Sequence, residues 1–353
     1  MRAVFGLIGA SALLLAGCAS VGPPTIGRDR FDYVTTISDS WKRQTLLNLV
    51  KVRYADAPVF MDVSSVISSY SLEGEISLGG EYAPIGRGDT FASVGTTGRY
   101  ADKPTITYQP LSGDKFAKSL MTPIPVTGFL FLIQSGYPAD LVLRVCVNSI
   151  NGLENAYGGA GNPRAGSPKF RELMTALRES QVAGDTGFRV KPSKGEPAVV
   201  MFIRPSADQV TVPSSKIREL LGLNAASREF SVVYGSYPEQ DTEIAVLTRS
   251  ILQVMIDIAS YVDVPEADIA EGRVYSPQRT AEQERTFPPL ITVLHGASPP
   301  DDAYASIRYR NQWFWIDDRD QRSKHHLAFL MIMFSLTEGA PTQTAPVVTV
   351  PAR

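Results

Sequence analysis

The pattern of hydrophobic and polar residues predicts helices and strands that follow one another without a fixed alternation. Apolar side chains at helical spacing predict a first helix over residues 31–54 and the most regular helix of the chain over residues 241–261. A Ser-Pro pair at a helix start predicts another over residues 167–182. An almost wholly apolar segment predicts a final helix over residues 322–336.

Short apolar runs and period-two alternation predict strands between these helices. A glycine-rich region of strands follows the first helix, from residue 59 to residue 107. Alternation in residues 141–147 predicts a strand, and residues 304–309 with 313–316 predict a hairpin. Helices and mostly antiparallel strands are mixed with no steady β-α-β order, so we predict the α+β class. Other strands are predicted at residues 188–191, 199–204, 230–234 and 290–294.

The N-terminal segment has the layout of a secretory signal peptide. Arg2 is followed by an apolar run over residues 4–15 and by small residues before Cys18. That run is too short to cross a bilayer as a helix, which takes ~20 residues. Leu15-Ala16-Gly17-Cys18 resembles the lipobox of bacterial lipoproteins.

The resemblance to the lipobox implies cleavage before Cys18, a diacylglycerol on its thiol and an acyl chain, such as palmitate, on the new amino group. Ala19 and Ser20 follow the cysteine with no Asp beside it. In Gram-negative lipoproteins this implies the outer membrane, with the protein facing the periplasm. Several acyl chains give a stable anchor, whereas one chain binds only marginally.

These patterns predict five segments along the chain. We expect a signal peptide at residues 1–17, a tether at 18–30, two α+β regions at 31–185 and 186–337, and a flexible tail at 338–353.

Composition excludes some classes of function. The 34 basic and 36 acidic residues give a net charge of −2, which offers no electrostatic basis for binding nucleic acid. Hydrophobic residues make up 44% of the chain, a value typical of globular proteins. If Cys18 carries lipid, Cys146 has no disulfide partner, and we predict a semi-buried structural thiol.

One segment concentrates possible metal ligands: Asp317, Asp318, Asp320, His325 and His326. Carboxylates with an imidazole one or two helical turns away can bind a divalent metal. However, adjacent histidines on a helix point about 100° apart, which makes a shared ion difficult. We therefore favour the alternative, in which Asp318 or Asp320 caps the final helix.

Three other features have a structural and a functional interpretation. The loop Gly158–Gly161 lacks the Lys-Ser/Thr of a phosphate-binding loop, and we interpret it as a mobile loop. The aromatic residues 313–315 could stack on a sugar or peptide, but packing beneath the last helix is favoured. A basic flank on the first helix would face lipid head groups or an acidic partner, unless it is simply solvated: Lys42, Arg43, Lys51 and Arg53.

Several short stretches together resemble an uncharacterised family of proteobacterial lipoproteins, over roughly residues 31–337: residues 31–33, 46–54, 134–138, 149–153, 248–250 and 313–318. The resemblance implies the same cellular location and one shared fold, and it brings no activity or catalytic residue. We therefore predict a non-enzymatic envelope protein that binds or scaffolds a partner protein, with no cofactor other than its covalent lipid. The alternative is a periplasmic hydrolase, with or without a metal ion, that uses residues 317–326.

Overall fold

The fold is taken from a computed structural model. It describes residues 22–67, 70–80, 92–102, 105–110, 118–159, 163–191, 198–203, 212–276, 285 and 287–337. The predicted signal peptide, Cys18 and the predicted tail at residues 338–353 lie outside these ranges.

The first helix is longer than its apolar pattern predicts. Helix α1 spans Gly22–Arg53 and therefore begins inside the predicted tether of residues 18–30, which is a correction. Pro23 and Pro24 are compatible with this start, because a proline in the first helical turn removes no intrahelical hydrogen bond.

Contacts divide the chain into two compact units. The first consists of Met1–Trp41 and Met61–Pro110, and the second of Lys42–Phe60 and Leu111–Arg353. Helix α1 supplies residues to both units.

The strands of the first unit form two antiparallel pairs. Strand β1 (Met61–Ile67) pairs with β4 (Thr105–Pro110), and β2 (Tyr70–Gly80) pairs with β3 (Ala92–Asp102). The β2–β3 register runs without a shift, from Tyr70 opposite Asp102 to Gly80 opposite Ala92. These pairs form the predicted glycine-rich strand region.

The second unit is built on a six-stranded sheet with the order β6-β5-β10-β9-β8-β7. Neighbouring strands are antiparallel except for β9 and β10, which are parallel. Together with the helices, this confirms the α+β class. The strands are β5 (Val147–Ile150), β6 (Leu153–Glu154), β7 (Thr186–Lys191), β8 (Ala198–Ile203), β9 (Glu229–Tyr234) and β10 (Glu243–Thr248).

The predicted boundary between residues 185 and 186 is not a boundary in the structure. Strands β5 and β6 precede it and β7 to β10 follow it, yet all six are hydrogen-bonded into one sheet. The apolar core is continuous across the same position, and it includes Leu173 and Leu177 before it and Val199 and Met201 after it.

Seven further helices accompany the sheets in the described part of the chain. They are α2 (Val126–Gln134), α3 (Ala139–Cys146), α4 (Pro168–Ala183), α5 (Val212–Leu221), α6 (Ile251–Ala259), α7 (Glu266–Ala270) and α8 (Gln321–Thr337). Helix α4 follows Ser167 as predicted, and it ends at Gly184, whose φ of 72° suits glycine. Among the described residues, no helix is both long enough and apolar enough to cross a membrane.

The predicted hairpin is confirmed. Strands β12 (Ala303–Tyr309) and β13 (Gln312–Asp317) are antiparallel, and β11 (Leu294–Gly296) pairs with the other edge of β13. Arg310 and Asn311 connect the hairpin strands with φ values of 44° and 68°, the backbone that a two-residue hairpin turn requires. Phe314 is fully buried in the core.

Three predicted elements are wrong. Residues 290–294 are predicted as a strand, but only Leu294 belongs to one, at the start of β11. Residues 141–147 form most of α3 rather than a strand, and only Val147 begins a strand. The residues predicted to form one helix at 241–261 form strand β10 and then helix α6, because Ser250 begins a new helix. The Ser250 hydroxyl accepts a hydrogen bond from the Gln253 backbone N–H, and the side-chain oxygen Oε1 of Gln253 accepts one from the Ser250 backbone N–H.

Candidate functional site

The three aspartates of the predicted metal segment each have another contact. Asp318 Oδ1 lies 2.7 Å from Lys324 Nζ, and Asp317 Oδ1 accepts a hydrogen bond from Arg319 N–H at 2.8 Å. Asp320 precedes α8 and accepts hydrogen bonds from Ser323 N–H at 3.0 Å and Ser323 Oγ at 2.6 Å. The prediction that an aspartate caps the final helix is thus confirmed for Asp320.

The two histidines of this segment contact different carbonyl groups. His325 Nδ1 lies 2.8 Å from the Gln321 carbonyl oxygen, and His326 Nδ1 is hydrogen-bonded to the Leu290 carbonyl oxygen. Burial lowers the pKa of His326 and so favours its neutral form. Within the described ranges, no three His, Cys, Asp or Glu side chains are grouped to hold a metal ion.

Asp320→Ala should lower the free energy of unfolding by about 1 kcal/mol through loss of the helix cap. Burial opposes ionisation of Asp320, but the hydrogen bonds from Ser323 outweigh it and lower the pKa of this carboxyl group. The difference from wild type, measured by urea unfolding, should therefore be present at pH 7 and shrink as the pH falls below ~4. Addition of a chelator that destabilised the wild type but not Asp320→Ala would contradict this role.

The predicted basic flank is smaller than expected. Arg53 is buried, and it donates hydrogen bonds to the carbonyl oxygens of Val262 and Tyr275 at 3.3 and 2.9 Å. Its place in the predicted flank is therefore wrong, because its guanidinium group joins distant segments of the second unit. Lys42 packs over the ring of Tyr304. Arg43 is exposed, and Lys42 and Lys51 are half-buried.

Asp257 and two arginines form an ion cluster in the core of the second unit. Asp257 Oδ2 lies 2.8 Å from Arg144 Nη1 and 3.0 Å from Arg249 Nη1. Asp257 is 0% exposed, Arg249 1% and Arg144 7%, so all three charges are shielded from water. Buried charges need close partners, because their transfer from water is costly.

The ion cluster also holds the start of the glycine loop. The second carboxylate oxygen of Asp257 accepts a hydrogen bond from Gly158 N–H at 2.5 Å, and Arg249 donates to the Ala156 carbonyl oxygen at 2.5 Å. Tyr157 and Arg164 close the loop with two backbone hydrogen bonds, at 3.0 and 2.8 Å. The base of the predicted mobile loop is thus fixed, while residues 160–162 lie outside the described ranges.

Burial and charge act in opposite directions on the groups of the cluster. Burial opposes ionisation of Asp257, but the two guanidinium groups outweigh it and lower the pKa of this carboxyl group. Burial lowers the pKa of Arg249 to about 10, although the attraction of Asp257 raises it. Burial opposes ionisation of Arg144 as well, but the attraction of Asp257 outweighs it and raises the pKa of Arg144. These shifts leave the charged form of all three groups favoured at neutral pH.

Cys146 is fully buried, deeper than the predicted semi-buried position. Its Sγ lies 4.0 Å from Met333 Sδ. Burial raises the pKa of the thiol to about 12, although Arg249 lowers it. The thiolate is therefore scarce at neutral pH, and Cys146 is unsuited to act as a nucleophile.

The second unit also contains an apolar cavity of about 210 Å³. Helices α2 to α5 supply one part of its wall, and strands β5 and β7 to β10 supply another. None of the residues that line it, all of them described, carries a charge. The lining consists of Phe129, Leu130, Ile133, Gln134, Ala139, Leu143, Ile150, Leu177, Gln181, Thr186, Gly187, Phe188, Met201, Leu221, Val232, Ile244 and Val246.

The two amide side chains at the cavity are already hydrogen-bonded to the protein. Gln181 Nε2 donates to the carbonyl oxygens of Ile133 and Tyr137, and Gln181 Oε1 accepts from Ala139 N–H. Gln134 Nε2 donates to the Phe188 carbonyl oxygen at 2.5 Å. These bonds fix α2, α3, α4 and β7 around the cavity and leave an apolar interior.

Comparison with known proteins adds no relative, since no family model, curated protein or solved structure matches the chain. The geometry of the second unit is therefore the basis for the candidate site.

The sequence pattern predicted neither the ion cluster nor the cavity. Arg144 and Asp257 in the cluster are 113 positions apart in the chain.

Proposed function

We propose that the protein is a lipid-anchored component of the outer membrane that faces the periplasm and binds a partner without catalysing a reaction. The observation that carries this proposal is Leu15-Ala16-Gly17-Cys18 at the end of an apolar N-terminal run. Cys18 would receive a diacylglycerol on its sulfur and an acyl chain on its amino group. Together these chains give the stable anchoring that a single chain does not.

The contacts of the candidate chemical groups support binding over hydrolysis. Asp320 caps a helix, His326 contacts a backbone carbonyl, and Asp257 is enclosed between two arginines. The cavity of the second unit is apolar and its lining carries no charge. Such a lining favours binding of apolar groups, whereas acid–base catalysis needs titratable groups that reach the substrate.

The proposed partner is another envelope protein with an acidic surface. Three of the four predicted basic residues remain candidates for this contact: Lys42, Arg43 and Lys51. Arg43 is exposed, so its guanidinium group can reach a carboxylate on a partner.

Radiolabelled palmitate should enter the wild-type protein and should not enter Cys18→Ala, because only the Cys18 thiol starts the lipidation sequence. The variant should also accumulate as an uncleaved precursor, visible as slower migration on a gel. Cys146→Ala is the matched control, since it removes the other cysteine and should be labelled as wild type is. Equal labelling of wild type and Cys18→Ala would refute the proposed anchor.

A further inference from the structure

We propose that the apolar cavity of the second unit binds one straight alkyl chain of about eight carbon atoms, with its polar head outside. The cavity lies between helices α2 to α5 and the six-stranded sheet, within one unit of the chain. The inference does not depend on the proposed membrane anchor, because every residue that lines the cavity belongs to the second unit.

The size of the cavity sets the length of the chain. An apolar cavity of about 150 Å³ stays dry and holds benzene, which has six carbon atoms. In proportion, the 210 Å³ found here hold ~8 carbon atoms. An apolar occupant gains attractive contacts along this lining, so its binding stabilises the fold.

The lining determines the chemical class of the ligand. It has no charged side chain, so it offers nothing to neutralise a buried carboxylate, phosphate or amine. Gln181 uses both ends of its amide group in contacts within the protein, so it is occupied before any ligand enters. The ligand portion inside the cavity is therefore a hydrocarbon.

The cavity has a side that reaches solvent. On this side Gln134 is exposed, and Thr186 and Phe188 are half-buried. By contrast, Leu143 in the helix wall and Ile244 in the sheet wall are buried. A chain can thus enter beside Phe188 and leave its polar head in water. This arrangement fits an amphiphile, such as a fatty acid or a lipid with one free chain, better than a compact apolar molecule.

The test is photolabelling of the full chain in detergent-free membrane vesicles, because detergent alkyl chains would compete for the cavity. The probe is dodecanoic acid with a diazirine on its terminal carbon. Labelling should saturate, and peptide mass spectrometry should place the adducts on residues that line the cavity, such as Leu177 and Met201. Non-saturable labelling, or adducts spread over exposed residues, would overturn the proposal.

Val232 and Val233 offer a matched pair of variants on strand β9. Both are half-buried, but only Val232 lines the cavity, and successive strand residues point to opposite faces. Val232→Trp should fill the cavity and lower labelling at least tenfold, whereas Val233→Trp should change it by less than twofold. Equal labelling of the two variants would count against the cavity as the binding site.

A chain-length series keeps the proposal testable even if a tryptophan variant fails to fold. Straight-chain alcohols from butanol to dodecanol should compete with the probe in the wild type. The apparent affinity of the alcohol, calculated from its free concentration, should rise about fourfold with each added carbon up to ~8 carbons. Beyond that length it should rise less than twofold with each further carbon. A continued fourfold rise beyond that length would indicate partition into the vesicle and refute a cavity of fixed size.

The alkyl chain can come from a free amphiphile or from the acyl chains proposed on Cys18, and only this point rests on the proposed anchor. Cys18→Ala should leave labelling within twofold of wild type if free amphiphiles occupy the cavity. A several-fold rise in labelling of Cys18→Ala would show that the protein's own acyl chains occupy it. Both results support an alkyl-chain site and distinguish its source.

Discussion

Asp257→Asn should lower the free energy of unfolding by about 3–5 kcal/mol, because it leaves two buried arginines without a countercharge. Asp257 contacts Arg144 and Arg249 within 3.0 Å, and its other oxygen holds Gly158 N–H. The amide of asparagine keeps the size of the side chain, but it removes the charge and replaces one of the two acceptor oxygens, both of which are used here, with a donor NH2 group. Urea unfolding followed by circular dichroism measures the loss.

The control for this variant is Asp263→Asn. Asp263 lies 2.9 Å from His295 Nδ1, but its side chain is 57% exposed, so the pair is screened by water. Removal of such a surface contact should cost less than about 1 kcal/mol. If Asp257→Asn were no more destabilised than Asp263→Asn, the ion cluster would not brace the second unit.

Leu49→Ala should cost about 2–5 kcal/mol of stability, the second-largest effect expected here. Leu46, Leu49 and Val50 in α1 are all 0% exposed and belong to the core of the second unit. Nearby, Tyr54 packs against Phe314 and donates a hydrogen bond to Asp268, which fixes the end of α1 in the same core. The cost arises from lost burial and from the cavity that a smaller side chain leaves.

The control for Leu49→Ala lies on the same helix. Val34 is 59% exposed, so Val34→Ala should change the free energy of unfolding by less than about 0.5 kcal/mol. The helical apolar pattern of α1 also predicts burial of Trp41, and this is wrong, because Trp41 is 39% exposed. A small effect for Leu49→Ala, matching that of Val34→Ala, would mean that the C-terminal part of α1 does not belong to the core.

The sequence predicts elements well where one signal is unambiguous. The proline after Ser167 and the glycine after α4 mark both ends of that helix. Helical spacing alone was misleading at residues 241–261, where strand β10 precedes α6. Ser250 and Gln253 have the spacing of a capping box, so a helix start was present as a signal inside the predicted helix.

Alternation fails as a guide when both faces of an element are buried. Residues 142–146 of α3 are all buried, so a polar–apolar alternation carries no information about which side faces water. Arg249 and Asp257 are charged residues in the segment predicted as one amphipathic helix, where charged side chains usually face solvent, yet both are in the core. Their burial depends on Arg144, a partner that a pattern within one helix cannot reveal.

The cavity could not be predicted from the sequence for a related reason. Its walls come from helices and strands spread between Phe129 and Val246, and its volume depends on how they pack. The apolar residues that line it have the same pattern as residues that fill a core. Only the three-dimensional arrangement distinguishes a space of 210 Å³ from a packed interior.

The most direct test of the proposed function is the mass of the N-terminal peptide of the protein isolated from its own membranes. The proposal predicts a peptide that begins at Cys18 and carries a diacylglycerol on sulfur and an acyl chain on nitrogen. The lipid-bearing peptide should be recovered from the outer-membrane fraction. A peptide that retains residues 1–17, or an unmodified Cys18, would contradict it.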